Sequence, residues 1–119
     1  MGRDGVKRDF TLPLRHMEPK RVKHLEPESF LLLVKQLRHF EKDADIFEIN
    51  LDKMRVKGDL KVIKNSFKNK EFIGVSESLG LLKAAATAGW ESLRVPSALL
   101  LDPEFTSLVK NRGTKILKD

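Results

Sequence analysis

The chain has 119 residues, of which 40% are hydrophobic and 34% are charged, and its formal net charge is +6. This length and this composition are typical of one folded domain and exclude a disordered polar tail. The chain contains no cysteine, which excludes disulfides, thiol catalysis and cysteine-bound zinc and indicates an intracellular location, cytoplasmic or nuclear. Its sequence has no apolar run near the ~18 residues that cross a membrane, so we expect no membrane partner.

Residues 1–24 predict a flexible basic arm that precedes a single domain over residues 25–119. The arm holds seven basic residues against three acidic ones, and its apolar residues follow neither the helical nor the strand period. Two interpretations stay open, a mobile solubilising arm and an arm that contacts phosphates. Arg21 and Lys23, near its end, are the arm residues that we expect to contact an acidic partner.

A first helix is predicted from the segment that follows the arm. Pro27 comes after Glu26 and suits the first position of a helix, because the N–H group that proline lacks is unpaired there. Phe30, Leu33 and Leu37 then recur at helical spacing. The segment therefore predicts an amphipathic helix whose apolar side belongs to the core.

Two strands joined by a tight turn are predicted next. Phe47 and Ile49 alternate with polar residues in the period-2 pattern of a half-buried strand, which predicts a strand over residues 46–51. The alternation continues with basic residues, and the Gly58-Asp59 pair is typical of a hairpin turn. Residues 60–64 then predict the returning strand, and the register of this β-hairpin stays open.

The second half of the chain predicts short extended segments and two further helices. Ser76 and Asp102 are predicted N-caps, because their side chains accept hydrogen bonds from the first turn of a helix. Pro103 suits the first position of the last helix, and Gly113 suits its end. The predicted extended segments are Phe72–Val75, Leu93–Val95 and Ala98–Leu101.

These elements predict an α+β fold in one small domain. About three helices are expected to pack on a short, mostly antiparallel sheet, with the basic arm in front. The predicted hairpin is the reason for expecting antiparallel pairing. We find no internal repeat in the sequence.

The residue types that carry enzyme chemistry form no known constellation in this sequence. The three histidines, His16, His24 and His39, never pair at the spacing of a helical metal site. The sequence also has no glycine motif of a nucleotide cradle and no nucleophile elbow. We therefore expect no metal site, no cofactor and no enzymatic activity.

The most informative stretch of the sequence is basic. Residues 53–70 hold seven basic residues and one acidic residue, so their net charge of +6 equals that of the whole chain, whereas residues 25–52 carry a net charge of −4. Lysine outnumbers arginine, which favours contacts to phosphates over the reading of bases. The sequence therefore predicts a non-catalytic protein that binds nucleic acid, RNA rather than DNA, through the basic hairpin. The predicted binding residues are Lys53, Arg55, Lys57, Lys61, Lys64, Lys68 and Lys70 of the basic stretch, together with Arg21 and Lys23.

The segregated charges also fit a different function. Acidic and basic segments of matching pattern can pair between two copies of the chain or with another protein, as in a protein-interaction or assembly module. Binding to oligonucleotides that falls steeply with salt would indicate the first function. A size that rises with protein concentration would indicate the second.

Overall fold

The structure is a computed structural model that describes residues 20–55 and 58–118. Most of the predicted arm, residues 1–19, and the predicted binding residue Lys57 lie outside the described residues. The described part contains five strands, four α-helices and one 3-10 helix. In chain order they are β1 (Val22–Leu25), α1 (Phe30–Phe40), β2 (Ile46–Asn50), α2 (Leu60–Ser66), β3 (Glu71–Val75), α3 (Leu79–Thr87), β4 (Ser92–Val95), the 3-10 helix (Ser97–Leu101), α4 (Pro103–Arg112) and β5 (Lys115–Lys118).

The five strands form one sheet in the order β1-β2-β3-β4-β5, and every neighbouring pair is parallel. The predicted mostly antiparallel sheet is therefore wrong, and the class is α/β instead of α+β. Successive strands begin 24, 25, 21 and 23 residues apart. That spacing leaves room for the crossover of a dozen or more residues that parallel strands require.

The predicted β-hairpin is absent from the described residues. The segment expected to form its returning strand is the helix α2, which begins after Asp59, whose side chain accepts a hydrogen bond of 2.9 Å from the N–H of Lys61. Leu60 and Ile63, three positions apart, form the buried side of this helix. The pair Gly58-Asp59 thus marks a helix start, not a hairpin turn. A short apolar run fits both the helical and the strand period, which explains the wrong prediction.

The other predicted boundaries are confirmed in part. The last helix has Asp102 as its N-cap, accepting from the N–H of Phe105 at 2.9 Å, and ends at Gly113 with a φ of 69°, as predicted. The caps of α1 and α3 are Ser29 and Ser78, a few residues beyond the predicted starts. Three further segments differ from the predictions. Ala98–Leu101 is part of a 3-10 helix instead of a strand. Strand β1 spans the expected arm boundary at residue 24, and strand β5 was not predicted.

The strand order places all the described helices on one face of the sheet. Parallel crossovers are right-handed in nearly all proteins, so a sheet built in sequential order receives each connecting helix on the same side. On that side Phe47, Phe72 and Leu93 are fully buried, in one core with Leu37 of α1 and Phe105 of α4. No described helix covers the opposite face. Among the described residues there is also no helix with the length and apolar character needed to span a membrane.

Gly74 lets α3 approach the sheet closely. A Cβ atom at Gly74 would lie 3.1 Å from the Leu93 side chain and 3.3 Å from the side chains of Ala85 and Trp90. We expect Gly74→Val to lower the free energy of unfolding by about 2 kcal/mol, because the extra atoms overpack this contact. Urea denaturation measures the change. Gly80→Ala is the control: its Cβ would meet only the Ser78 hydroxyl at 3.9 Å, so we expect equal or higher stability.

Candidate interaction surfaces

Lys53, the first of the predicted binding residues, is tied to a carboxylate of the chain. Its ammonium group forms an ion pair with Glu26, in the segment that follows β1. The hydrogen bond between them raises the pKa of Lys53 and lowers the pKa of Glu26. Both side chains are more than half exposed, so the pair fixes the position of Lys53 more than it stabilises the fold.

Lys64 and Lys70 contact a carboxylate and backbone carbonyls at the other end of the sheet, where the strands begin. Lys64 pairs with the carboxylate of Glu91, just before β4, and donates to the carbonyl of Lys70 at 2.9 Å. The other oxygen of Glu91 accepts from the N–H of Phe72 at 2.9 Å. Lys70 donates to the carbonyl of Ala44 at 2.8 Å. These two lysines therefore join the loops that precede neighbouring strands.

The two predicted arm residues also make contacts within the chain. Arg21 contacts Asp45 through its backbone N–H at 2.9 Å and its side-chain Nε at 3.5 Å. The backbone hydrogen bond is the main reason that the pKa of Asp45 is lowered. The ammonium group of Lys23 lies 4.2 Å from the centre of the Phe40 ring.

The remaining predicted cations, Arg55, Lys61 and Lys68, are exposed. Their side chains form no hydrogen bond or ion pair with any residue that the structure describes. The described predicted cations do not all share one surface, because Lys53 follows a strand end, whereas Lys64 and Lys70 lie where strands begin. The described binding residues are thus distributed over both ends of the sheet and the helix side.

A different group of cations lies together on the helix side, and we call it the basic helix surface: Lys35, Arg38, Lys42 and Lys68. Lys35 and Arg38 are three residues apart on the exposed side of α1, and Lys42 lies in the turn just after the end of that helix. The guanidinium of Arg38 lies 5.3 Å from the centre of the Phe67 ring, which places α1 beside the end of α2. The exposure of these residues opposite the stripe of Leu33 and Leu37 is the signal that could have identified them.

A groove of about 510 Å³ runs between the ends of α1 and α2. It is polar, and its cations are Lys42, Lys68 and Lys70, with Glu41 as its one lining carboxylate. Ser66 and Asn69 add a hydroxyl and an amide. The groove therefore offers several hydrogen-bond donors to a negatively charged group.

The second surface is the face of the sheet that no described helix covers, which we call the uncovered sheet face. In β2, β3 and β4 its residues alternate with fully buried ones, and every residue of the face is half-buried or exposed. Its residues are Val22, His24, Ile46, Glu48, Asn50, Glu71, Ile73, Val75, Ser92, Arg94, Lys115 and Leu117.

An ion pair crosses the middle of the uncovered sheet face. Arg94 of β4 donates to both carboxylate oxygens of Glu48 of β2, at 3.1 and 3.3 Å, and so spans β3 between them. His24 of β1 places its Nδ1 atom 3.4 Å from the same carboxylate. The Glu48 side chain is only 14% exposed and that of Arg94 is 32% exposed. The pair thus lies over the aliphatic residues of β3, Ile73 and Val75.

The carboxyl ends of the strands, where α/β proteins commonly bind ligands, are held by internal bonds. Asp52 accepts from the Ser76 hydroxyl at 2.5 Å and from the N–H of Glu77 at 2.9 Å, which joins the loops after β2 and β3. The strand order also never reverses, so this edge has no switch-point crevice. Within residues 20–55 and 58–118, no three His, Cys, Asp or Glu side chains are grouped as a metal would require.

The basic helix surface and the uncovered sheet face lie on opposite sides of the sheet. A variant of one therefore leaves the other in place, and the two can be tested separately. No model of a known protein family matches the chain, and no curated protein is significantly similar to it.

Proposed function

We propose that the chain is an assembly module that pairs with a second copy of itself through the uncovered sheet face. The observation that carries this proposal is a parallel sheet with only one described layer of helices. Parallel sheets occur almost only with both faces covered. Four half-buried aliphatic residues on the open face favour a covering partner: Ile46, Ile73, Val75 and Leu117.

The charges on this face favour a second copy as the partner. The acidic residues Glu48 and Glu71 lie on β2 and β3, and the basic residues Arg94 and Lys115 lie on β4 and β5. The face is therefore acidic on one half and basic on the other. Within one copy Arg94 pairs with Glu48 and Lys20 pairs with Glu71, so Lys115 is the cation of this face that makes no ion pair in the described residues and can pair with a carboxylate of a second copy. A surface of this kind is complementary to itself when a two-fold axis exchanges the two halves.

The strand register defines which two-fold axis brings the acidic half of one copy opposite the basic half of the other. Glu48, Ile73, Ser92 and Lys115 are successive partners across β2 to β5. A two-fold axis parallel to the strands, between β3 and β4, places β2 of one copy over β5 of the other and brings Glu48 opposite Lys115. An axis in the sheet plane but perpendicular to the strands would place each strand over its own copy, with like charges facing. The charge pattern favours the first arrangement.

The size of the face predicts a weak dimer. Five strands of about five residues cover an area of about 20 by 15 Å. This is well below the ~800 Å² per partner of stable interfaces, so pairing should depend on protein concentration.

Sedimentation velocity over a range of protein concentrations tests the proposal. The apparent mass should rise from 13.6 kDa toward twice that value. Ile73→Asp should keep the chain monomeric, because it places a charge at the centre of the face. Val62→Asp is the matched control, since Val62 is an exposed valine on the helix side, 48% exposed, and this variant should associate like the natural chain.

A second variant keeps the test decisive if Ile73→Asp does not fold. Lys115 is exposed on the edge strand β5, so Lys115→Glu should fold normally and weaken association by placing two carboxylates opposite each other. A mass that stays at 13.6 kDa at every concentration contradicts the proposal. Association that neither sheet-face variant weakens contradicts it as well.

The nucleic-acid function expected from the sequence stays a prediction, and so does the intracellular location. The returning strand of the hairpin through which that binding was expected is the helix α2, so any binding surface must be arranged differently. The basic helix surface is the candidate.

A further inference from the structure

We propose that the basic helix surface is a binding site for the phosphate backbone of nucleic acid. Its four cations are exposed and form no ion pair with any carboxylate in the described part of the chain. Other described cations do form such pairs, as Arg21, Lys53 and Lys64 show. This surface therefore holds positive charge that the described fold does not neutralise.

The charge balance of the basic helix surface, counted together with the groove beside it, supports an anionic ligand. Helices α1 and α2 both end there, and a helix end carries about half a negative charge, which by itself attracts cations. Two such ends and the nearby carboxylates Glu41 and Asp43 amount to about three negative charges. The four cations of the surface and Lys70 amount to five positive charges. A surplus of about two positive charges is left for a ligand.

The side chains of the groove suit phosphate and sugar more than base edges. Lysine ammonium, serine hydroxyl and asparagine amide groups are typical contacts to the nucleic-acid backbone. Phe67 cannot stack on a base, because it is only 3% exposed beneath Arg38. Binding should therefore be insensitive to sequence and should weaken steeply with salt.

Fluorescence anisotropy with a labelled single-stranded RNA and a DNA duplex of equal length tests the site, with sodium chloride varied from low to physiological concentration. Contacts to about three phosphates predict a slope of about −2 for single-stranded RNA in a plot of log affinity against log salt. The triple variant Lys35→Gln, Lys42→Gln, Lys68→Gln should lose at least about tenfold in affinity at low salt and most of the slope.

The matched control removes the same number of charges elsewhere. Lys110→Gln, Arg112→Gln, Lys118→Gln neutralises three exposed cations on α4 and β5. We expect it to change the affinity less than about threefold. An equal loss in both triple variants would show attraction to net charge alone and would overturn the site.

A third binding experiment separates nucleic acid from other sources of phosphate. Vesicles containing phosphatidylserine present the same charge on a lipid surface. If the chain binds these vesicles as tightly as RNA, and the first triple variant abolishes both, the assignment to nucleic acid is overturned. Circular dichroism of both triple variants should match the natural chain, because every substituted side chain is exposed. Absence of any salt-dependent RNA binding by the natural chain also overturns the proposal.

Discussion

Replacing Trp90 with alanine is expected to lower the free energy of unfolding by about 4 kcal/mol. Trp90 is 1% exposed, and its ring centre lies 5.3 Å from that of Phe72 on β3. Its indole N–H donates to the carbonyl of Leu60 at 3.2 Å, which joins α2 to the start of β4. The alanine variant loses this bond and leaves a large cavity between sheet and helices.

Trp90→Phe separates the contribution of the ring's packing from that of the hydrogen bond to Leu60. This variant keeps most of the ring volume and loses the hydrogen bond, which should cost about 1 to 2 kcal/mol. Urea denaturation followed by far-UV circular dichroism measures both variants, since Trp90 is the one tryptophan of the chain and its fluorescence is lost. Leu101→Ala is the control, because Leu101 is 84% exposed. A change of less than 1 kcal/mol in Trp90→Ala would show that this packing does not stabilise the fold.

The strands were easier to predict than their pairing. The alternation around Phe47 and Ile49 reports which side of a strand is buried, and strand β2 is found where it predicts one. Alternation contains no information on strand direction, which depends on the connection. The connection after β2 contains α2, whose buried residues Leu60 and Ile63 and whose C-cap Phe67 fit the helical spacings of three and four. Reading this segment as a strand changed the predicted class of the whole fold.

The charge pattern of the sequence was misleading for a related reason. Lys53 and Lys64 are near each other in sequence, but Lys64 lies in the helix α2 and Lys53 lies before it, so the two are at opposite ends of the sheet. Their partners Glu26 and Glu91 are each 27 residues away in the chain. A sequence shows how many cations a segment has, but not which distant carboxylates neutralise them.

Charge reversal at Glu48 is the last test, and it concerns the ion pair that crosses the uncovered sheet face. Glu48→Lys places an ammonium group beside Arg94 in a partly buried position. Two like charges about 4 Å apart repel by about 4 kcal/mol at the effective dielectric of a protein surface. Because Arg94 can turn partly toward water, we expect a loss of about 3 kcal/mol in the free energy of unfolding. Arg94→Glu should have a similar effect.

The double variant Glu48→Lys, Arg94→Glu should recover most of this loss, because the pair is restored with its charges exchanged. The double-mutant cycle, measured by urea denaturation, then gives the coupling energy across β3. Glu104→Lys is the control: Glu104 pairs with Lys83 but is 85% exposed, so its reversal should leave the urea midpoint nearly unchanged. A double variant no more stable than either single one would show that shape, not charge, determines the contact. In that case the charge complementarity inferred for two facing sheets would lose its basis as well.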